Sequence, residues 1–451
     1  MKGSAPPQKI KCIISNIANS IGILYIGGNS EAEPGLPPLV LTPSQLSEPK
    51  VNCPNYIPKP IFYLTFLILV LCGLPCLVEA ADIAPVNFHK GRPNPDIIQG
   101  INNLYDLEFD EAERHFNKFV SERPEHPAGY FYRAMVPWSR LSVGFWTAQN
   151  LQEYIERIDQ TISVARTAIN RNEKDSRAYF YLGGALGFKG RFELMQQNWF
   201  SSYNLAYDAI QALKTCQKLD PDNKDVLLGL GIYDYYTARL SGVLKFLTYL
   251  FLHKGNKEEG LRKLHMAANE AVYSGLEAKS MLIHIYLYLE EDFSKALPLI
   301  KDLRTEFTKN MRYRFFEGLV YIRQDRDAEY RRIVDLLRAE SLKKTTKADS
   351  LIWENEALYL EATYYLFRGE PQLARDKLDA ILSQADPALD PDMIAFPILK
   401  KGMSYDLEGK REKALEYYHQ VLKMDNGAGA QFLAQKCVDE APKKGDPFLG
   451  Y

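Results

Sequence analysis

Residues 209–231 read AIQALKTCQKLDPDNKDVLLGLG, and the spacing of their apolar residues decides the fold. Ala209, Leu213 and Cys216 share one helical face, and two of the three are small enough for a neighbouring helix to come close. Pro221 ends that helix, because proline has no backbone donor and keeps the residue before it out of the helical region. Leu227, Leu230 and Gly231 then resume the pattern, with Gly231 thinning the backbone at a helix crossing. The stretch predicts helix, tight turn, helix.

Working outward, apolar residues keep spacings of three and four almost throughout and Val-rich alternating runs are scarce, so the class is all-α. With 451 residues, 46% of them apolar, the chain can bury a large core as two or three domains or as one long solenoid. Its 55 basic and 57 acidic residues are spread evenly, and a net charge of −2 leaves no electrostatic footprint for nucleic acid.

Residues 1–58 are weakly patterned and read as an unstructured extension. Behind Lys59, the apolar run IFYLTFLILVLC (Ile61–Cys72) leads to Pro75 and Val78-Glu79-Ala80, the layout of a signal peptide over 59–80 cleaved after Ala80. The competing reading is an inner-membrane anchor through 61–78, for which the run is short. A signal so far from the first residue points to a mis-assigned start, with translation beginning near Val51. Lipidation is disfavoured, since Leu71 and Pro75 precede Cys72 and Cys76. The expectation is export to the periplasm or cell envelope, leaving Cys216 and Cys437 as two free, buried thiols too far apart to pair.

The helix–turn–helix pattern recurs along the chain. Its units carry Gly100, Ala112, Phe116 and Phe119; Ala134, Thr161, Ala165 and Ala168; Gly183, Ala209, Leu213 and Cys216; and Gly231, Gly260, Leu264 and Ala267. Next come Ala296, Ile300 and Leu303, then Gly318, Tyr321, Val334 and Leu337. A polar break at 341–350 precedes two clearer units over 351–426, with Ala362, Tyr365, Gly369, Ala374 and Leu378, and with Gly402, Tyr405, Gly409, Ala414 and Tyr418. This register of small, aromatic, alanine and large residues resembles the tetratricopeptide repeat family, bacterial exported type, whose unit has 34 residues. The resemblance spans roughly 93–426 and implies an α-solenoid of about eight helical hairpins, with residues 427–451 supplying a capping helix and a tail.

Three consecutive units are lengthened. The first and second small positions of an ordinary unit lie 12 apart, but Ala134 to Thr161, Gly183 to Ala209 and Gly231 to Gly260 span 27, 26 and 29 residues. The insertions fall between the two helices of each hairpin, at 136–154, 188–207 and 233–255 within an 81–340 solenoid segment, and extend the arms by about two turns each. They hold Trp138, Trp146, Trp199, Phe246, Tyr249 and Phe251. Apolar residues at helical spacing ordinarily form a local core; the sharper alternative is an aromatic surface for a lipid, a membrane or a partner helix. The stretches GLGIYDYYTARLSGVLKFL and GNKEEGLRKLHMAA also resemble the tetratricopeptide repeat protein 39 group, which implies a non-enzymatic solenoid associated with membranes.

No catalytic, cofactor or metal site is expected. The seven histidines form neither HExxH nor a zinc-spaced cluster, and Gly229-Leu230-Gly231 lies within a helical pattern where a dinucleotide site needs a strand. The expected function is therefore binding: a scaffold holding a protein or peptide on a concave face lined by Tyr130, Tyr179, Asp234, Tyr235, Tyr321 and Tyr365, with membrane or lipid association through the insertions as the alternative.

Overall fold

The computed structural model describes residues 93–196, 198–239, 255–388 and 390–451, with backbone only for Trp199, Ala348 and Asp349. All belong to one unit of the chain. The 1–58 extension, the 59–80 segment and Phe246, Tyr249 and Phe251 lie outside the described residues. Every regular element among those described is helical. In order they are α1 (Pro95–Tyr105), α2 (Phe109–Glu122), α3 (Pro127–Ser142), α4 (Ala148–Arg171), α5 (Ser176–Met195) and α6 (Trp199–Leu219). There follow α7 (Val226–Arg239), α8 (Lys257–Glu270), α9 (Gly275–His284), α10 (Phe293–Glu306), α11 (Arg312–Arg323) and α12 (Asp327–Leu342). The last five are α13 (Lys347–Arg368), α14 (Pro371–Leu382), α15 (Asp392–Leu407), α16 (Arg411–Leu422) and α17 (Ala430–Asp439). A π-turn, Ile285–Leu289, extends α9, and a 3-10 turn, Pro447–Gly450, follows α17. Within the 341–350 stretch, only residues 343–346 separate α12 from α13.

The helices are joined by two turns used repeatedly. After α1, α11, α13 and α15 the chain takes a left-handed residue at Leu107, Asp325, Gly369 or Gly409. The next N–H then reaches back five residues, as in Glu108 to Asn103, Arg326 to Tyr321, Glu370 to Tyr365 and Lys410 to Tyr405, at 2.8–2.9 Å. This bond satisfies a carbonyl that the helix end would leave orphaned. After α2, α4, α6 and α10 a different turn recurs, in which Arg123, Asn172, Asp220 and Phe307 donate to Phe119, Ala168, Cys216 and Leu303. The α6 example is tied further: Asp225 Oδ1 accepts from the backbone N–H of Tyr273 and of Ser274, both at 2.7 Å, joining the α6–α7 turn to the start of α9.

Packing follows chain order. Each helix lies mainly against its chain neighbours, and α1 also touches α3, α3 touches α5, α5 touches α7, α11 touches α13 and α13 touches α15. Glycines set the crossings. A side chain added at Gly183 on α5 would stand 2.7 Å from Leu213 Cγ on α6, and one at Gly229 on α7 would stand 2.4 Å from Leu213 Cδ1, so Leu213 fills a slot between two glycines. Gly100 meets the ring of Phe116, Gly231 meets Leu264 and Gly402 meets the ring of Tyr418 in the same manner, and each of those three large side chains is fully buried.

Successive hairpins also return on earlier ones. The α10–α11 turn meets the α1–α2 turn, where Lys309 N donates to Asp106 Oδ1 at 2.9 Å and Asn310 Nδ2 to the Tyr105 carbonyl at 2.8 Å. The tip of the α3–α4 hairpin meets the far end of the chain, where Asn426 Nδ2 donates to the Trp146 carbonyl at 2.6 Å and Gly144 lies against the Asp392 carboxyl. Gly429 likewise sits against Met195 at the end of α5. The long arms, 24 residues in α4 and 20 in α5 against 12 in α14 and α16, are thus what reaches the C-terminal helices. Cys216 and Cys437 are free and buried, and burial pushes both thiols up to about 12.

The slot around Leu213 makes a paired test within α5. Gly183→Ala is expected to lower stability by about 1–2 kcal/mol, overpacking outweighing the gain in helix propensity. Gly187→Ala, four residues on, faces solvent with nothing nearer than 4.0 Å and is expected to raise stability by about 0.5–1 kcal/mol. Urea unfolding of both variants checks the difference in sign.

Candidate binding face

The residues expected to line a concave face sit on α3, α5, α7, α11 and α13, and two of them are buried. Tyr235 is fully buried, donates from its hydroxyl to Glu290 Oε1 at 2.5 Å and lies under the Arg239 guanidinium. Tyr321 is buried too, with its hydroxyl 2.7 Å from Glu317 Oε1 and Arg326 stacked on its ring. Asp234 is ion-paired with Lys263 across the α7–α8 contact. Tyr130 donates to the Pro124 carbonyl at 2.8 Å, closing the α2–α3 turn, while Tyr179 and Tyr365 are half-buried. Tyr130 thus braces a turn, Asp234 and Tyr235 tie α7 to later elements, and the Tyr321 bond lies within α11.

Two of the aromatics of the insertions are core residues. Trp138 packs against Tyr154 and Phe188, with the Arg191 guanidinium 5.3 Å above its ring, and Trp146 is 5% exposed beneath the 426–429 turn. The side chain of Trp199 is outside the described residues. Next to it on α6, Phe200 stands 80% exposed.

What the odd-numbered helices do hold is a piece of the chain itself. Beyond Gly445, the Asp446 carboxylate accepts from Phe448 N at 2.9 Å and caps the Pro447–Gly450 turn. That turn lies across the C-terminal ends of α9, α11 and α13. Leu449 is fully buried, and its carbonyl accepts from Lys400 Nζ of α15 at 2.5 Å. The Tyr451 carbonyl accepts from the Tyr359 hydroxyl of α13 at 2.7 Å, and the Tyr451 ring lies 4.6 Å from that of Tyr288. Tyr288 is placed by the π-turn, whose extra residue per turn changes the direction of the side chains at the end of α9. Leu287, Phe293, Leu319, Arg323 and Phe367 complete the wall, and Arg323 stacks over the rings of both Phe293 and Phe367. None of this seat carries a repeat-register signal, which is why spacing alone did not find it.

The electrostatics of the seat are uneven. Lys400 is buried with Thr363 Oγ1 at 2.8 Å and the Tyr359 ring at 4.4 Å, and among the described residues no carboxylate lies in ion-pair range of it. Loss of water therefore holds its ammonium well below the ordinary lysine range. On the same side, Glu356 and Asp392 face one another with only Arg312 to compensate, 3.8 Å from Glu356 Oε1. Burial and the Glu356 charge push Asp392 up to about 7, and burial raises Glu356 as well. Burial pushes His284 down to about 4, leaving it neutral at pH 7, with Nδ1 against the Ser280 carbonyl.

Among the described residues no group of three or more metal-ligating side chains gathers, and no helix is long and apolar enough to cross a membrane. No family model matches the chain, and no curated protein matches it.

The raised Asp392 carboxyl gives a signed pH dependence. A carboxyl whose folded-state pKa exceeds its unfolded value binds its proton more tightly when folded, so ionising it costs stability, with no cost below about 4 and the full cost above about 7. Asp392→Asn should therefore leave stability unchanged at pH 4 and raise it at pH 8 by on the order of 1–3 kcal/mol, which denaturant titrations at the two pH values would measure.

Proposed function

We propose that this chain is a non-enzymatic binding scaffold of the tetratricopeptide type, in which α1 to α16 form eight hairpins, α17 caps the stack, and the inner face holds a protein or peptide segment. Three observations support the solenoid. The same two turns recur at intervals along the chain, a glycine on one helix meets a large side chain on the next in unit after unit, and among the described residues the main contacts between alternate helices fall on the odd-numbered ones. Neighbour contact on one side only is what a curved stack of helical pairs produces, with the touching helices on the inside.

The observation that carries the binding function is the seat itself. Side chains from α9, α11, α13 and α15 jointly grip a short apolar segment by its carbonyls and its aromatic ring. A face that holds Pro447–Tyr451 in this way has the donors and apolar area to hold a similar segment of another protein. Export to the cell envelope through the 59–80 segment is part of the proposal and rests on the sequence layout alone. The membrane-binding alternative is weakened by the burial of Trp138 and Trp146, which leaves it to the exposed Phe200 and to residues outside those described.

Panning a displayed random-peptide library against the chain tests this. Selected peptides should lose affinity by about tenfold or more in Phe367→Ser, which removes an apolar wall of the seat, and keep it in Lys301→Glu, on the exposed side of α10. Peptides that bind both variants equally, with helical content unchanged, would place any binding elsewhere.

A further inference from the structure

We propose that Asp446–Tyr451 is a resident occupant of the inner face, which a partner peptide of the same chemistry displaces: an Asp-Pro-capped turn followed by leucine and, two residues later, an aromatic. The inference rests on the inner-face reading above and adds what that face selects. The seat reads two main-chain oxygens, that of Leu449 through Lys400 and that of Tyr451 through Tyr359, and two side chains, the buried Leu449 and the ring of Tyr451 on Tyr288. The segment's N–H groups face inward instead, Leu449 N to the Asp446 carbonyl and Tyr451 N to that of Phe448. A partner must therefore bring a preformed turn; an extended strand offers donors that the wall does not accept.

Two features make the occupant exchangeable. Residues 443–445, which lead to it, are exposed, and Gly445 has a left-handed φ of +85° with nothing within 4 Å of where a side chain would stand. Lifting the segment on this hinge gives up the share of Leu449 and Phe448 in the cluster around Leu433 and Cys437 and the contact of Lys436 Nζ with the Phe448 ring at 4.6 Å, while Ala430, Leu433, Ala434 and Cys437 keep α17 packed on α15 and α16. Seating also buries the Lys400 ammonium without a countercharge, a cost that lifting the segment removes. The bound state is held by two hydrogen bonds and a few apolar contacts against that cost.

The test cuts the chain after it has folded. A site for a sequence-specific protease is placed between Lys444 and Gly445, the intact and cut proteins are compared, and a fluorescent peptide of sequence GDPFLGY is titrated into each by anisotropy. The cut protein, its segment washed away, should bind the peptide, and the uncut protein should bind it weaker by about a hundredfold, because a tethered segment competes at an effective concentration near 1 mM. Peptides with serine in place of Leu449 or alanine in place of Tyr451 should fail on the cut protein. Circular dichroism after cutting keeps the result interpretable, and Leu449→Ser in the uncut chain gives an independent opening of the seat that should raise peptide binding. Equal binding to cut and uncut protein, or release of the segment with loss of helical content, would overturn the proposal. If library-selected peptides bind cut and uncut protein alike and still lose affinity in Phe367→Ser, the inner-face reading stands and the displaceable occupant does not. If a folded cut protein binds neither GDPFLGY nor any library peptide, both fail.

Discussion

Leu213 sits where α5, α6 and α7 meet, between Gly183 on one side and Gly229 on the other, and neither neighbour has room for a methyl group. That single side chain sets how closely three helices approach. Van der Waals packing rewards such a fit only while the facing residue is absent, because interiors packed to crystal density have no slack to redistribute. The same arrangement recurs where Gly100 faces Phe116, Gly231 faces Leu264 and Gly402 faces Tyr418. In the proposed solenoid, a repeated contact of this kind would set the spacing of successive helical pairs and the repeated turns their direction.

The lengthened hairpins depart from the rule for a reason visible at their tips. Their arms reach across to the helices at the end of the chain, which cover Trp146 with the 426–429 turn, while Trp138 is buried between the arms themselves, against Tyr154 and Phe188. Around the Pro447–Gly450 turn, buried groups lose water with few ion partners to compensate. Burial holds the Lys400 ammonium well below the ordinary lysine range, and it raises the Asp392 and Glu356 carboxyls above the ordinary carboxylate range. Such uncompensated groups lower stability, which is a common property of surfaces whose purpose is to meet something else.

The sequence made the helices and their contacts legible because they depend on local spacing. Ala209, Leu213, Cys216 and Gly231 are read directly from a period of three and four, and the structure buries all four. Gly369 and Gly409 are readable as turns because they are glycines; Leu107 and Asp325 adopt the same left-handed turn with no such signal, held by the helices on either side. Function was much less legible. Tyr235 and Tyr321 fall at the spacing expected of a lining residue, yet both are buried: Tyr235 bonds Glu290, brought to it by tertiary packing, and Tyr321 bonds Glu317 one turn back on its own helix. The seat for Pro447–Tyr451 brings together residues from positions 287 to 451 that no fixed period relates, and nothing in the spacing of the tail shows that its main-chain oxygens meet Lys400 and Tyr359.

Under the proposed account, the inner face is a surface for short turn-forming peptides, and the chain keeps it covered with one of its own. Hydrogen exchange at the backbone amides of Leu449 and Tyr451, followed with and without a saturating selected peptide, tests this most directly. Both amides are bonded within the seated turn, so the account predicts slow exchange in the free chain and fast exchange once the peptide is bound, with α17 unchanged. Protection at Leu449 and Tyr451 that persists at saturation would contradict it, and would make the segment a permanent part of the fold.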